Sequence, residues 1–60
     1  MNLPKDPLML MSYLNTQLRD NYPSLAEFCA AQGISEEEIL AKLAQVGYVY
    51  ERDTNKFVLK

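Results

Sequence analysis

Catalysis near neutral pH most often draws on histidine, and this sequence has none. Its absence removes the ordinary general base, the commonest metal ligand and the serine or cysteine triads built around an imidazole. Carboxylates, tyrosines, lysines and one thiol remain. The densest acidic run is Glu36-Glu37-Glu38, but neighbours on a helix point in different directions. An open helix start also has no walls to shift a carboxyl pKa, so the run reads as helix-starting charge rather than as an acid and base pair. Cys29 is the only cysteine, which leaves it without a disulfide partner or metal-ligand spacing. A reactive thiol needs exposure beside a cation, whereas the place of Cys29 at a helix crossing predicts burial and inertness. Gly33 and Gly47 each stand alone, so there is no Gly-rich loop to cradle a phosphate. The chain is expected not to be an enzyme, with no catalytic residue, cofactor or metal.

Sixty residues hold one domain at most, expected over 1–60, and a chain so short hides a small share of its surface. With 48% apolar and 23% charged residues the composition is that of a globular chain. The longest apolar run, residues 8–11, stops at Ser12, far short of the roughly 20 residues that cross a bilayer. Pro4, Asp6 and Pro7 interrupt what would be the apolar centre of a signal peptide. A stand-alone cytoplasmic domain without membrane contact is therefore expected. The net charge is −2 with no block of Lys or Arg, so the footprint needed to neutralise nucleic-acid phosphates is missing. Small domains without staples gain buried area by oligomerising, which keeps a homodimer open.

The chemistry-bearing residues sit on elements that punctuation delimits. Asp6 can cap a helix start and Pro7 suits its first position, so a first helix is expected over 7–19. Leu10, Met11, Leu14 and Leu18 form its inward stripe, with Tyr13 and Gln17 beside it and Ser12, Asn15, Thr16 and Arg19 opposite. Leu8 and Met9 add surplus apolar surface. Pro23 breaks the chain. Ser24 with Glu27 makes a capping box for a second helix, 24–32, whose inward residues are Leu25, Phe28 and Cys29 and whose stop is Gly33. Ser35 with Glu38 makes another for a third helix, 36–46, burying Ile39, Leu40, Leu43 and Val46, with Gly47 as its stop. The period then changes to two. Strands are expected at 48–51 and 56–59, around a turn with Asn55 in the left-handed region and with Tyr50 facing Phe57. The tyrosines are expected at core edges with their polar tips in water.

The stretch from Ser24 to Leu43 resembles a helix-turn-helix, with Cys29 as the small residue, Gly33 at the turn, and Ile34, Ile39 and Leu43 as the apolar set. Adding the preceding helix and the hairpin gives the expected fold class: mainly α with a small β-hairpin, a three-helix core followed by a two-stranded wing, winged-helix-like. A groove-reading helix would present Glu36-Glu37-Glu38 to a phosphate lattice, which opposes DNA binding. Those charges instead suit the positive end of the helix dipole. Leu3-Pro4-Lys5-Asp6-Pro7, Leu18-Arg19-Asp20-Asn21-Tyr22 and Val46-Gly47-Tyr48-Val49-Tyr50 also resemble a family of very short bacterial proteins known as a domain of unknown function. That resemblance implies a bacterial origin and a stand-alone domain, and it brings no activity or functional residue.

The function expected is a non-enzymatic protein-protein interaction module, homodimeric or with another protein, using Leu8, Met9, Tyr22 and Tyr48. The alternative is a weak or accessory nucleic-acid-binding winged-helix regulator whose wing contacts a backbone through Arg52, Lys56 and Lys60, diluted by Glu51 and Asp53.

Overall fold

The computed structural model of the chain describes residues 3–60, so Met1 and Asn2 of the expected 1–60 domain lie outside the described residues. Three helices, α1 (Pro7–Asp20), α2 (Leu25–Gln32) and α3 (Glu36–Ala44), precede strands β1 (Tyr48–Glu51) and β2 (Lys56–Leu59). The domain is thus mainly helical with one small antiparallel hairpin.

Local chemistry accounts for the helix ends. Asp6 Oδ2 accepts the Met9 amide at 3.1 Å, and Pro7 opens α1 where an N–H would have no partner. Ser24 Oγ accepts the Glu27 amide at 3.2 Å and caps α2, but the Glu27 carboxylate makes no bond back to the Ser24 amide, so only half of the expected capping box forms. Gly33, at φ 70, closes α2 with two backbone bonds, its own N–H to Ala30 O and Ile34 N–H to Cys29 O. That pair is a Schellman motif, which returns two otherwise orphaned carbonyls to hydrogen bonding. Nothing lies within 4 Å of a Cβ built at Gly33, so the positive φ, not crowding, calls for glycine.

Two expectations about α3 are corrected. Ser35 is its N-cap by position but makes no side-chain cap bond, so the second capping box is not formed. The three glutamates of the first turn instead meet the helix dipole directly. The helix also ends at Ala44, because Val46 N–H bonds Leu43 O and Gly47 N–H bonds Ala44 O. These three-residue steps tighten the last turn and rotate Val46 off the buried stripe. Val46 is 37% exposed and Leu40 only partly buried.

The core consists of Leu10, Leu14, Leu18, Leu25, Phe28, Cys29, Ile39, Leu43 and Phe57. Phe28 is its centre. Tyr22 and Tyr13 meet it edge-on, with ring centroids 5.3 and 6.3 Å away, the arrangement that aromatic quadrupoles prefer. Met11, expected in the stripe, is partly buried and packs against this core together with Leu3, Ile34, Tyr48 and Tyr50.

The hairpin pairs Tyr48 with Leu59, Val49 with Val58, Tyr50 with Phe57 and Glu51 with Lys56. Tyr50 and Phe57 stack across the strands at 5.4 Å as expected, and Asn55 holds the turn at φ 55. Polar side chains tie this hairpin to the helices. Phe57 N–H donates to Asn15 Oδ1 at 2.7 Å, and Asn15 Nδ2 donates to Phe57 O at 3.2 Å. A side-chain amide thus pairs with β2 where a neighbouring strand's backbone would. Asn55 Nδ2 donates to the carbonyls of Leu18 and Tyr22, both at 3.0 Å. Tyr50 closes the set, its hydroxyl donating to Asn55 Oδ1 and accepting the Leu25 amide at the start of α2. Among the described residues no buried side-chain nitrogen or oxygen lacks a partner.

Asn15 and Tyr50 therefore depart from expectation. Asn15, assigned to the solvent face of α1, is half-buried because it lies at the border of the stripe facing β2. The polar tips of Tyr50 and Tyr22 are bonded to protein, the latter accepting from Gln32 Nε2 at 3.2 Å.

Candidate protein-interaction surface

The four residues expected to form an interface do not make one exposed surface. Leu8 and Met9 are exposed on the outer side of α1, 51% and 63% respectively. They lie at the start of that 14-residue helix, while Tyr22 follows its far end, about 20 Å away at 1.5 Å per residue. Tyr22 is also half-buried against Phe28 rather than free. Tyr48 is half-buried and packs against the core.

A different apolar set gathers near Leu8. Asn55 reaches the end of α1 while Phe57 meets Asn15, so β2 runs antiparallel to α1. Two strand residues beyond Phe57 advance about 6.6 Å and four helix residues back from Asn15 about 6 Å, which sets Leu59 level with Met11, one turn from Leu8. Leu59 is 68% exposed, the most open large apolar side chain of the described residues. Its Cδ1 stands 3.4 Å from a Cβ built on Gly47, next to the exposed Val46. Leu59 and Val46 therefore lie toward the same end of the domain as Leu8, and the inward Tyr48 pairs with Leu59. Sequence alternation puts Leu59 on the same face as Phe57, and only its place at the open end of the hairpin leaves it uncovered.

The cations of the hairpin are dispersed. Arg52, Lys56 and Lys60 are all exposed. Lys60 lies four residues from Lys56, about 13 Å along an extended strand. Arg52 borders a groove whose opposite wall includes Glu36. Arg19 is ion-paired to Asp20 at 2.8 Å, and this bond raises the guanidinium pKa and holds the Asp20 carboxyl below its ordinary value.

A groove of about 650 Å³ runs between α1 and the hairpin turn past Asn15, Arg19, Asn55 and Lys56. Its size falls in the range of ligand sites, but the amides of Asn15 and Asn55 are already committed to backbone. Cys29 is 3% exposed; burial pushes its thiol pKa up, and the negative charge of Glu36 adds to the rise. A thiol so placed is held in its poorly nucleophilic form. Among the described residues no group of three or more His, Cys, Asp or Glu is placed to hold a metal, and no helix is long and apolar enough to cross a membrane.

Fold and surface thus define a small helical domain with a docked hairpin and an apolar end. Residues 4–57 match the family described as domain of unknown function DUF4250, and the chain belongs to that family. No curated protein and no solved structure matches it.

Proposed function

We propose that this domain is a non-enzymatic protein-interaction module whose contact surface is the apolar end formed by Leu8, Val46 and Leu59, with Met9 at its margin. The supporting observation is the exposure of these side chains toward one end of the domain; among the described residues Val49, on the outer face of the hairpin, is the one other large apolar residue left exposed. Apolar side chains left exposed together at one end of a small domain are a common mark of a partner site. The buried, protonated thiol and the absence of histidine leave little for chemistry to use. An acidic chain with a lone reduced cysteine also suits the bacterial cytoplasm.

Nucleic-acid binding is the weaker reading. Its support is the helix-helix-hairpin order of a winged helix and the exposed Arg52 and Lys56 near the hairpin turn. Against it stand Glu36, Glu37 and Glu38 at the start of α3, where phosphates would approach.

Paired affinity capture tests the proposal, using the wild-type domain and a Leu8→Ser/Leu59→Ser variant whose thermal unfolding is shown to match. A protein retained by the wild type and lost by the variant is the expected result. Equal retention by both, or retention of nucleic acid alone, overturns it.

A further inference from the structure

The two edges of the hairpin are treated differently. Lys60 N–H bonds Gly47 O, which makes 47 and 60 a hydrogen-bonded pair of the antiparallel ladder. By alternation Val49 with Val58 and Glu51 with Lys56 bond across the strands, whereas the N–H and C=O of Tyr48, Tyr50, Phe57 and Leu59 point away from the partner strand. On β2 the outward groups of Phe57 are taken by Asn15. Among the described residues nothing bonds the outward groups of Tyr48 and Tyr50 on β1. A groove of about 240 Å³ borders the Tyr50 and Arg52 end of β1, with the start of α2 and Glu36 as its other wall. Unlike many natural edges, β1 carries no proline, lysine or bulge.

We propose that the free edge of β1 pairs with the same edge of a second copy of this chain, joining two hairpins into one four-stranded antiparallel sheet about a two-fold axis at Val49. This names a partner for the interaction module proposed above and rests on that reading, but through a surface that meets the Leu8 and Leu59 end only at Val46. The edge is self-complementary. Antiparallel pairing centred on Val49 sets Tyr48 against Tyr50 of the other copy, and Tyr50 against its Tyr48, so that four outward groups on each side find partners. Val49, 37% exposed and on the outer face with Val58, then meets its own counterpart and extends an apolar row across the sheet. In that register Glu51 falls opposite Gly47 and Arg52 opposite Val46, so no like charges face each other. A four-residue strand buries less than the roughly 1,200 Å² of stable complexes, which makes the dimer weak and concentration-dependent.

Light scattering on size-exclusion fractions and amide hydrogen exchange, both as functions of concentration, test this with the wild type, Val49→Lys and Leu8→Ser. The expected result is a mass that doubles at high concentration for the wild type and Leu8→Ser, with the Tyr48 and Tyr50 amides gaining protection in parallel. Val49→Lys places two ammonium groups face to face and should remain a monomer, with a helical spectrum showing that it is folded. A wild type that stays monomeric at millimolar concentration overturns the proposal. So does a dimer in which the Tyr48 and Tyr50 amides gain no protection, a reading that holds even if Val49→Lys fails to fold. A dimer abolished by Leu8→Ser but kept by Val49→Lys overturns it too and assigns self-association to the apolar end, whereas loss of the β1 dimer leaves partner capture by that end intact.

Discussion

Replacing Asn15 with alanine removes both hydrogen bonds that hold the outer edge of β2 to α1, at 2.7 and 3.2 Å to the amide and carbonyl of Phe57. The ring of Phe57 is 3% exposed, so its strand cannot lift without opening the core. Two bonds at a net 0.5–1.5 kcal/mol each come to about 2 kcal/mol, partial water access keeping the loss from reaching the full cost of two orphaned groups. Alanine returns about 0.5 kcal/mol through its helix propensity, leaving a net loss of about 1.5 kcal/mol. At about 4–8 °C per kcal/mol for so small a domain, Tm should fall by about 6–12 °C. That is a sizeable part of the roughly 3–9 kcal/mol expected for sixty residues. Thermal unfolding followed by circular dichroism measures it, with Thr16→Ala on the exposed face of α1 as a control expected within about 0.5 kcal/mol of the wild type. Faster exchange of the Phe57 amide in Asn15→Ala should accompany the loss. An Asn15→Ala protein no less stable than Thr16→Ala, or with unchanged Phe57 exchange, would refute the role assigned to this amide.

Asn55→Gly separates the turn from the network: glycine accepts the φ of 55 freely, so a residue needed only for the turn is replaced at a cost of a few tenths of a kcal/mol. Loss of its bonds to Leu18, Tyr22 and Tyr50 should instead cost about 1–3 kcal/mol in urea unfolding. Ser24→Ala and Ser35→Ala should differ although both serines precede helices. The first loses a formed cap and about 1 kcal/mol, while the second stays within about 0.5 kcal/mol, as the same urea titrations will show.

Much of the fold was legible because its determinants are local. Pro7, Ser24 and Gly33 act within one helical turn of themselves, and the 3.6-residue recurrence of Leu10, Leu14 and Leu18 needs only a core to face. The left-handed Asn55 and the Tyr50 and Phe57 pair follow likewise from the turn and the two-residue alternation around it. Ser35 shows the limit of such rules, since a capping pattern permits a bond that the local backbone need not make. Val46 shows another: a tightened last turn changes the period on which its burial was inferred.

The surface was the least legible part. Asn15 and Asn55 look like solvent residues in sequence, because their partners lie 42 and 33 to 37 positions away. No local pattern carries a contact of that range. Leu8 and Met9 were identified as surplus, but the exposed Leu59 was not, since which end of the hairpin α1 leaves open depends on how β2 crosses it. The amino-acid order therefore determined the elements, their ends and the buried seam, through interactions spanning a turn or a strand pair. Tertiary packing decided where polar side chains replace a missing strand, which strand edge remains unpaired and where apolar side chains meet at the surface, because each depends on the docking of hairpin against helix.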